Sequence, residues 1–192
     1  MVGGHAGGVT PGDMGRHHGK MPPLFSKPSA DAAVNAPADG RGDFDFLTGR
    51  WTVRHKRLRQ RLAGDTVWDE FSGSCESVPV IAGLANIDDN YLELPGGTYR
   101  AATLRLFDPK ARHWSIWWID SRSMRLEPPV HGRFENAVGT FFGDDTHEDR
   151  PIRVRFLWSE IGADSARWEQ AFSPDGGAQW ETNWIMRFRR VH

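Results

Sequence analysis

The sequence predicts an all-β protein: a closed antiparallel up-and-down barrel of about ten strands behind a disordered N-terminal tail. Three observations carry this expectation. From residue 50 onward, short runs of alternating apolar and polar residues follow one another with no long helical period among them. Between the runs stand LAGD, PGGT, FDPKAR, GDDTHEDRP, IGADS and SPDGGAQ, whose Gly, Pro and Asp content supplies the backbone angles that turns require. Consecutive strands on short connections favour closure, because closure alone removes the exposed edges of a sheet.

The elements follow in chain order. Residues 1–41 are rich in Gly, Pro and Ala and hold almost no large apolar residue beyond Leu24 and Phe25, so they cannot bury enough surface to offset chain entropy. His5, His17 and His18 of this stretch read as solvated side chains rather than as a metal site. Residues 42–192 form the barrel domain, and a chain of 192 residues accommodates one full core. Asp43-Phe44-Asp45-Phe46-Leu47 reads as one apolar helical turn. After Thr48-Gly49 the strands are expected at 50–61, 67–77, 86–94, 98–107, 113–121, 130–135, 138–143, 151–160, 166–173 and 180–190.

Alternation gives each strand two faces. Trp51, Val53, His55 and Arg57 share one face of the first strand; Trp180, Thr182, Trp184, Met186 and Phe188 share one of the last. Ile152, Val154, Phe156 and Trp158 make an apolar face with Arg153 and Arg155 opposite, and the adjacent Trp117 and Trp118 must point to opposite sides. SPDGGAQW, residues 173–180, resembles the Asp-box, a motif that folds a hairpin turn over a packed tryptophan and performs no chemistry itself.

Composition narrows the function. A formal net charge of −1 and a pI near 6.7 argue against general nucleic-acid binding, and the basic run RHKRLRQR divides its charges between two strand faces. The single cysteine, Cys75, excludes an intrachain disulfide and a thiolate metal cluster, and fits a cytoplasmic setting. No apolar run has the roughly 20 residues of a membrane helix, so no membrane partner is expected. The acidic stretch GDDTHEDRP matches no calcium-loop spacing, and no metal is expected there.

Gly49-Arg50-Trp51 after an apolar turn resembles the G-x-W opening of lipocalins and other calycin barrels. That resemblance implies that Trp51 plugs one barrel end under an arginine of the last strand, Arg187 or Arg189. Four stretches are similar to the bacterial DUF1579 family of calycin-like proteins: FDFLTGRWTVRHKRLRQRLAG, PGGTYRAATLRLFDPKARHWSIWWIDSR, PPVHGRFENAVGTFFGDDTHEDRPIRVRF and FSPDGGAQWETNWIMRFRR. The resemblance covers almost everything after residue 42 and implies a barrel with an internal cavity, without an agreed reaction or catalytic residues. Nitrobindins, also calycin-like, hold haem through a histidine, but WTVRHKRL stands where they carry a glycine-repeated opening. No cofactor is therefore expected, and His55, His113, His131 and His147 are haem candidates by residue type alone.

The alternation also places several polar residues at inward-facing positions, where an ionisable group needs a partner. His55, Glu70 and Asp120 form the candidate acid–base set. Arg105, Trp118, Trp168, Gln170 and Tyr99 form the candidate ligand-binding set. The expected function is binding of a small apolar or amphipathic molecule, and the alternative is acid–base catalysis on a hydrophobic metabolite in the same cavity.

Overall fold

The computed structural model describes residues 39–192, so residues 1–38 of the tail expected at 1–41 lie outside the described residues. Residues 39–41, assigned to that tail on composition, instead belong to a turn against the barrel, where the Gly40 carbonyl accepts a hydrogen bond from Trp114 Nε1 at 3.0 Å. A 3-10 turn at Asp45–Leu47 follows, with Leu47 fully buried.

Ten strands then close on themselves: β1 (Gly49–Leu58), β2 (Trp68–Val80), β3 (Ala85–Leu94), β4 (Gly97–Asp108), β5 (His113–Asp120), β6 (Val130–Glu135), β7 (Val138–His147), β8 (Arg150–Ser159), β9 (Ser165–Ser173) and β10 (Glu181–Arg190). Every strand pairs antiparallel with its chain neighbours, and β10 returns to pair with β1 from Trp51↔Arg190 to Arg57↔Trp184. The fold is therefore the closed ten-strand antiparallel barrel that the alternation predicts.

Three strand ends depart furthest from the expected boundaries: β1 stops at Leu58 rather than at 61, β2 runs on to Val80 rather than 77, and β7 extends into its hairpin. The acidic residues Asp144 to His147 continue β7 and pair with Arg150 to Arg153 of β8, leaving only Glu148 and Asp149 to turn the chain, at φ 50° and 62°. Two successive positive φ values suit the right-handed twist of a tight hairpin. Ladder pairing here outweighs the low strand propensity of aspartate.

Inward positions fill the barrel with rings. Phe44 meets Trp114 edge-on at 5.0 Å and Phe134 at 4.9 Å, and Trp158 packs 5.3 Å from Phe188. These rings close the end at which β1 begins. Trp51 is buried there and donates from Nε1 to the Leu47 carbonyl at 2.7 Å. The arginine across its ring is Arg190, with Cζ 4.1 Å from the ring centroid. Arg187 and Arg189 point outward, and Arg187 pairs with Glu160 on the surface at 3.0 Å. Strand parity explains the difference from the expected pair: Arg190 continues the inward series Trp184, Met186, Phe188, whereas 187 and 189 fall between its members.

Arg190 also donates to the carbonyls of Thr48 at 2.7 Å, Phe46 at 2.6 Å and Ala163 at 2.7 Å. Gly49 makes room for it: its φ is 105°, and a Cβ there would stand 3.2 Å from Arg190 Nη1. The G-x-W opening is thus a local device in which the glycine admits the guanidinium that covers the tryptophan.

Candidate functional site

At the opposite end, where β1 finishes, the barrel holds a cavity of about 230 Å³. Its walls are Trp118 of β5, Phe156 of β8, Trp168 of β9 and Trp184 of β10, with Ile116, Val130 and Val154 between them. The indoles brace one another edge-on, Trp184 lying 5.8 Å from Trp118 and 5.6 Å from Trp168. Gln170 also faces the cavity, turned aside by donating to Asn183 Oδ1 at 2.9 Å. Asn183 reaches the interior because β10 shifts register between Thr182 and Trp184.

The mouth is charged. Arg57 ends the inward face of β1, Arg61 stands on the segment after it, and Arg122 and Glu127 belong to the connection between β5 and β6. Arg57 lies over Trp184 at 4.8 Å, and Arg61 over Phe172 at 5.9 Å. Desolvation lowers the pKa of both, and the Arg57 charge helps bring Arg61 down to about 10. Arg122 lies over the Tyr99 ring at 3.7 Å, and the Tyr99 hydroxyl stands beside the Arg57 guanidinium without an aligned hydrogen bond between the two.

Two carboxyls of the mouth are driven in opposite directions. Burial disfavours the Asp120 carboxylate, but bonds from the Arg122 side chain at 2.7 and 3.3 Å and from the backbone N–H groups of Arg122 and Ser123 outweigh it, holding its pKa at about 2. Glu127 lacks such donors. Desolvation, with Asp145 and Asp120 nearby, pushes it up to about 7, although its side chain remains open to the water of the mouth.

The proposed acid–base set is not assembled. Glu70 is on the outer wall, 3.7 Å from Lys56. His55 is buried beside Phe71, the rings nearly parallel at 4.6 Å, and its Nδ1 accepts from Trp184 Nε1 at 3.2 Å. Desolvation, then the Arg57 charge, lowers its pKa to about 3, so it is a neutral acceptor; no carboxylate raises it. Asp120 is the one member that lines the cavity.

The ligand-binding set divides. Trp118, Trp168 and Gln170 line the cavity, and Tyr99 supports Arg57 and Arg122 from behind. Arg105 lies deeper, beside a separate void of about 30 Å³, and is engaged by Asp88 Oδ2 at 2.6 Å and Asn86 Oδ1 at 2.9 Å. Asp88 in turn accepts from Asn90 Nδ2 at 2.5 Å and the Thr103 N–H at 2.9 Å, so this is a structural network inside the barrel. Alternation puts Asn86, Asp88 and Asn90 on one face with Leu92, and Arg57 on one face with Trp51 and His55, yet of these only His55 is among the candidate site residues that the sequence offers. Glu127 sits on a connection, where period-2 reasoning gives no orientation, and Arg61, expected on the first strand, lies beyond it because β1 stops at Leu58.

Of the four histidines that are haem candidates by residue type, His147 borders the cavity, whereas His113 and His131 lie on the outer wall, 5.7 Å apart. Among the described residues, no group of three or more His, Cys, Asp or Glu side chains is arranged to hold a metal ion. No described helix is long and apolar enough to cross a membrane.

No family model matches the chain, and no curated protein matches it. Among solved structures it is similar to the S-type phycobiliprotein lyase CPES from Guillardia theta, with 9% identity, a TM-score of 0.52, and coverage of 78% of this chain and 90% of that one. It also matches a de novo designed fluorescence-activating β-barrel at 13% identity and a TM-score of 0.42, over 77% of this chain and 95% of that one. These likenesses concern the barrel fold.

Proposed function

We propose that the protein binds a small molecule with a flat apolar body in the open-end cavity. One observation carries this reading: the aromatic wall of Trp118, Phe156, Trp168 and Trp184, with the charged rim above it, encloses about 230 Å³ of open space instead of filling it. Close packing is the norm for an interior, and aromatic walls with a few polar groups at the rim are the usual chemistry of a ligand pocket. The volume is below the roughly 300–1,000 Å³ of drug-sized sites, so the ligand is compact or inserts only one end.

Membership of the DUF1579 family and a cytoplasmic setting are parts of this reading, supported by the four sequence stretches and by the single free thiol of Cys75. No haem is included in it, since His55 is already engaged by Trp184.

The test is titration with 2-naphthoate and 2-naphthamide, followed by tryptophan fluorescence. At least one is expected to give a saturable change at one site, abolished by Val154→Phe, whose added ring occupies the cavity. Linear responses to both probes would refute a binding cavity.

Acid–base catalysis, the second reading, is favoured by Glu127, a carboxyl at the cavity mouth with a pKa pushed up to about 7. A general acid works best near the ambient pH. In that reading Glu127, rather than His55, exchanges the proton.

A further inference from the structure

Among the described residues, three arginines, Arg57, Arg61 and Arg122, and four carboxyls, Asp120, Glu127, Asp144 and Asp145, line the cavity and its rim, and they pair unevenly. Asp120 is engaged by Arg122, and Asp145 Oδ1 accepts the Thr146 N–H at 2.7 Å. Glu127 acts on Arg61 through space but makes no ion pair with it, and His147 lies on the β7 side of the mouth. Arg57 and Arg61, neighbours on the β1 side, make no ion pair with any carboxylate among the described residues, and Arg57 Nη1 is shut from solvent without a hydrogen-bond partner. The Arg57 charge disfavours that of Arg61, and the Arg122 charge disfavours both.

Two adjacent desolvated arginines are an unfavourable arrangement unless an anion joins them, because a guanidinium stays protonated and its planar fork fits an oxyanion. Their positions also fix which way such a ligand would lie. Arg57 is stacked over Trp184, an indole of the cavity wall, and Arg61 over Phe172 at the rim.

We propose that the ligand is an amphipathic carboxylate, its anionic group held between Arg57 and Arg61 at the mouth and its aromatic or apolar body inserted against Trp168 and Trp184. This rests on the cavity-binding reading above and adds the charge and orientation of the ligand. Tyr99 is a positioning residue: its ring carries Arg122 and its hydroxyl stands against Arg57, so it keeps both guanidinia in place.

The experiment uses the matched probes, 2-naphthoate and 2-naphthamide, which share a ring system and differ in charge. Isothermal titration calorimetry on the full chain is expected to show naphthoate binding about tenfold tighter or more, the usual scale of a charge-assisted contact. Arg57→Gln and Arg61→Gln should each weaken naphthoate binding by about tenfold and shrink the preference for naphthoate over naphthamide, while an unchanged near-UV circular dichroism spectrum shows that the variants remain folded. Equal affinities for the two probes in the unmutated protein would overturn the anion inference while leaving the cavity reading intact. A carboxylate preference that survives in the Arg57→Gln, Arg61→Gln double variant would overturn the assignment to these residues. Absence of saturable binding by either probe would overturn the cavity reading, and this inference with it.

Discussion

His55 has exchanged the versatility of an imidazole for a fixed structural duty. Its ring is enclosed by Phe71 and Trp184, and opposite it Gly73 leaves the space a side chain would occupy: a Cβ there would meet His55 Nε2 at 2.7 Å and the Tyr91 carbonyl at 2.5 Å. The folded pKa of about 3 lies below the ordinary imidazole value of 6.5, because burial and the Arg57 charge disfavour the imidazolium. Between these two values the unfolded chain binds a proton that the folded chain does not. The stability contributed by His55 therefore rises with pH across the window and is lost as pH falls from 6.5 toward 3. Each unit of acidification well inside it removes about 1.4 kcal/mol. Glu127, whose pKa is pushed up to about 7, takes up a proton on folding over the same range and opposes His55 in the native protein, so the comparison is between variants: in urea unfolding from pH 6.5 to 4.5, His55→Phe should lower the slope of stability against pH by about 1.4 kcal/mol per unit relative to the native protein. The variant should also lose about 1–3 kcal/mol at neutral pH, since Trp184 Nε1 is left buried without an acceptor. An unchanged slope in His55→Phe would show that the sensitivity lies in other groups.

The plug is the element on which the closed end depends, and one side chain ties its parts together. Through three carbonyls Arg190 joins the 3-10 turn, the approach to β1 and the loop before β9, while its guanidinium covers Trp51. Arg190→Ala is expected to cost about 1.5–3 kcal/mol, the scale of a charged hydrogen-bonded group, in equilibrium urea unfolding. Arg187→Ala and Arg189→Ala should each stay within about 0.5 kcal/mol, as surface changes do. Equal losses in all three would contradict the clamp. This element also shows what the sequence makes legible. Gly49 and Trp51 announce the plug because the motif is contiguous, and the ten strands are found because turn residues and period-2 alternation are local signals. The clamp requires parity to be carried without error to the end of β10, where Arg187, Arg189 and Arg190 are chemically alike. The site is harder still. Trp184 and His55 meet across 129 residues of chain, and Arg61 and Glu127 are aimed by turns, so neither periodicity nor spacing reveals what they face.

For the whole molecule, the feature that matters is that one seam, β1 against β10, converts a meander into a barrel. Removing β10 would leave β1 and β9 as unpaired edges and open the aromatic interior to water. A chain ending at residue 180 should therefore form aggregates in size-exclusion chromatography, where the full chain elutes as a defined species. A well-behaved particle with native near-UV circular dichroism would show that nine strands can close without the tenth. The seam also sets a timetable for biosynthesis. Each hairpin can zip up soon after it leaves the ribosome, but β1, among the first strands made, has to wait for residues 181–190 before its second edge is satisfied. Through that interval Trp51 has no Arg190 above it, and a growing sheet presents adhesive borders to every neighbouring nascent chain. For this protein the hazardous moment is the delay before closure, and a chaperone that shields the β1 edge until translation reaches Arg190 would act at the point of greatest exposure.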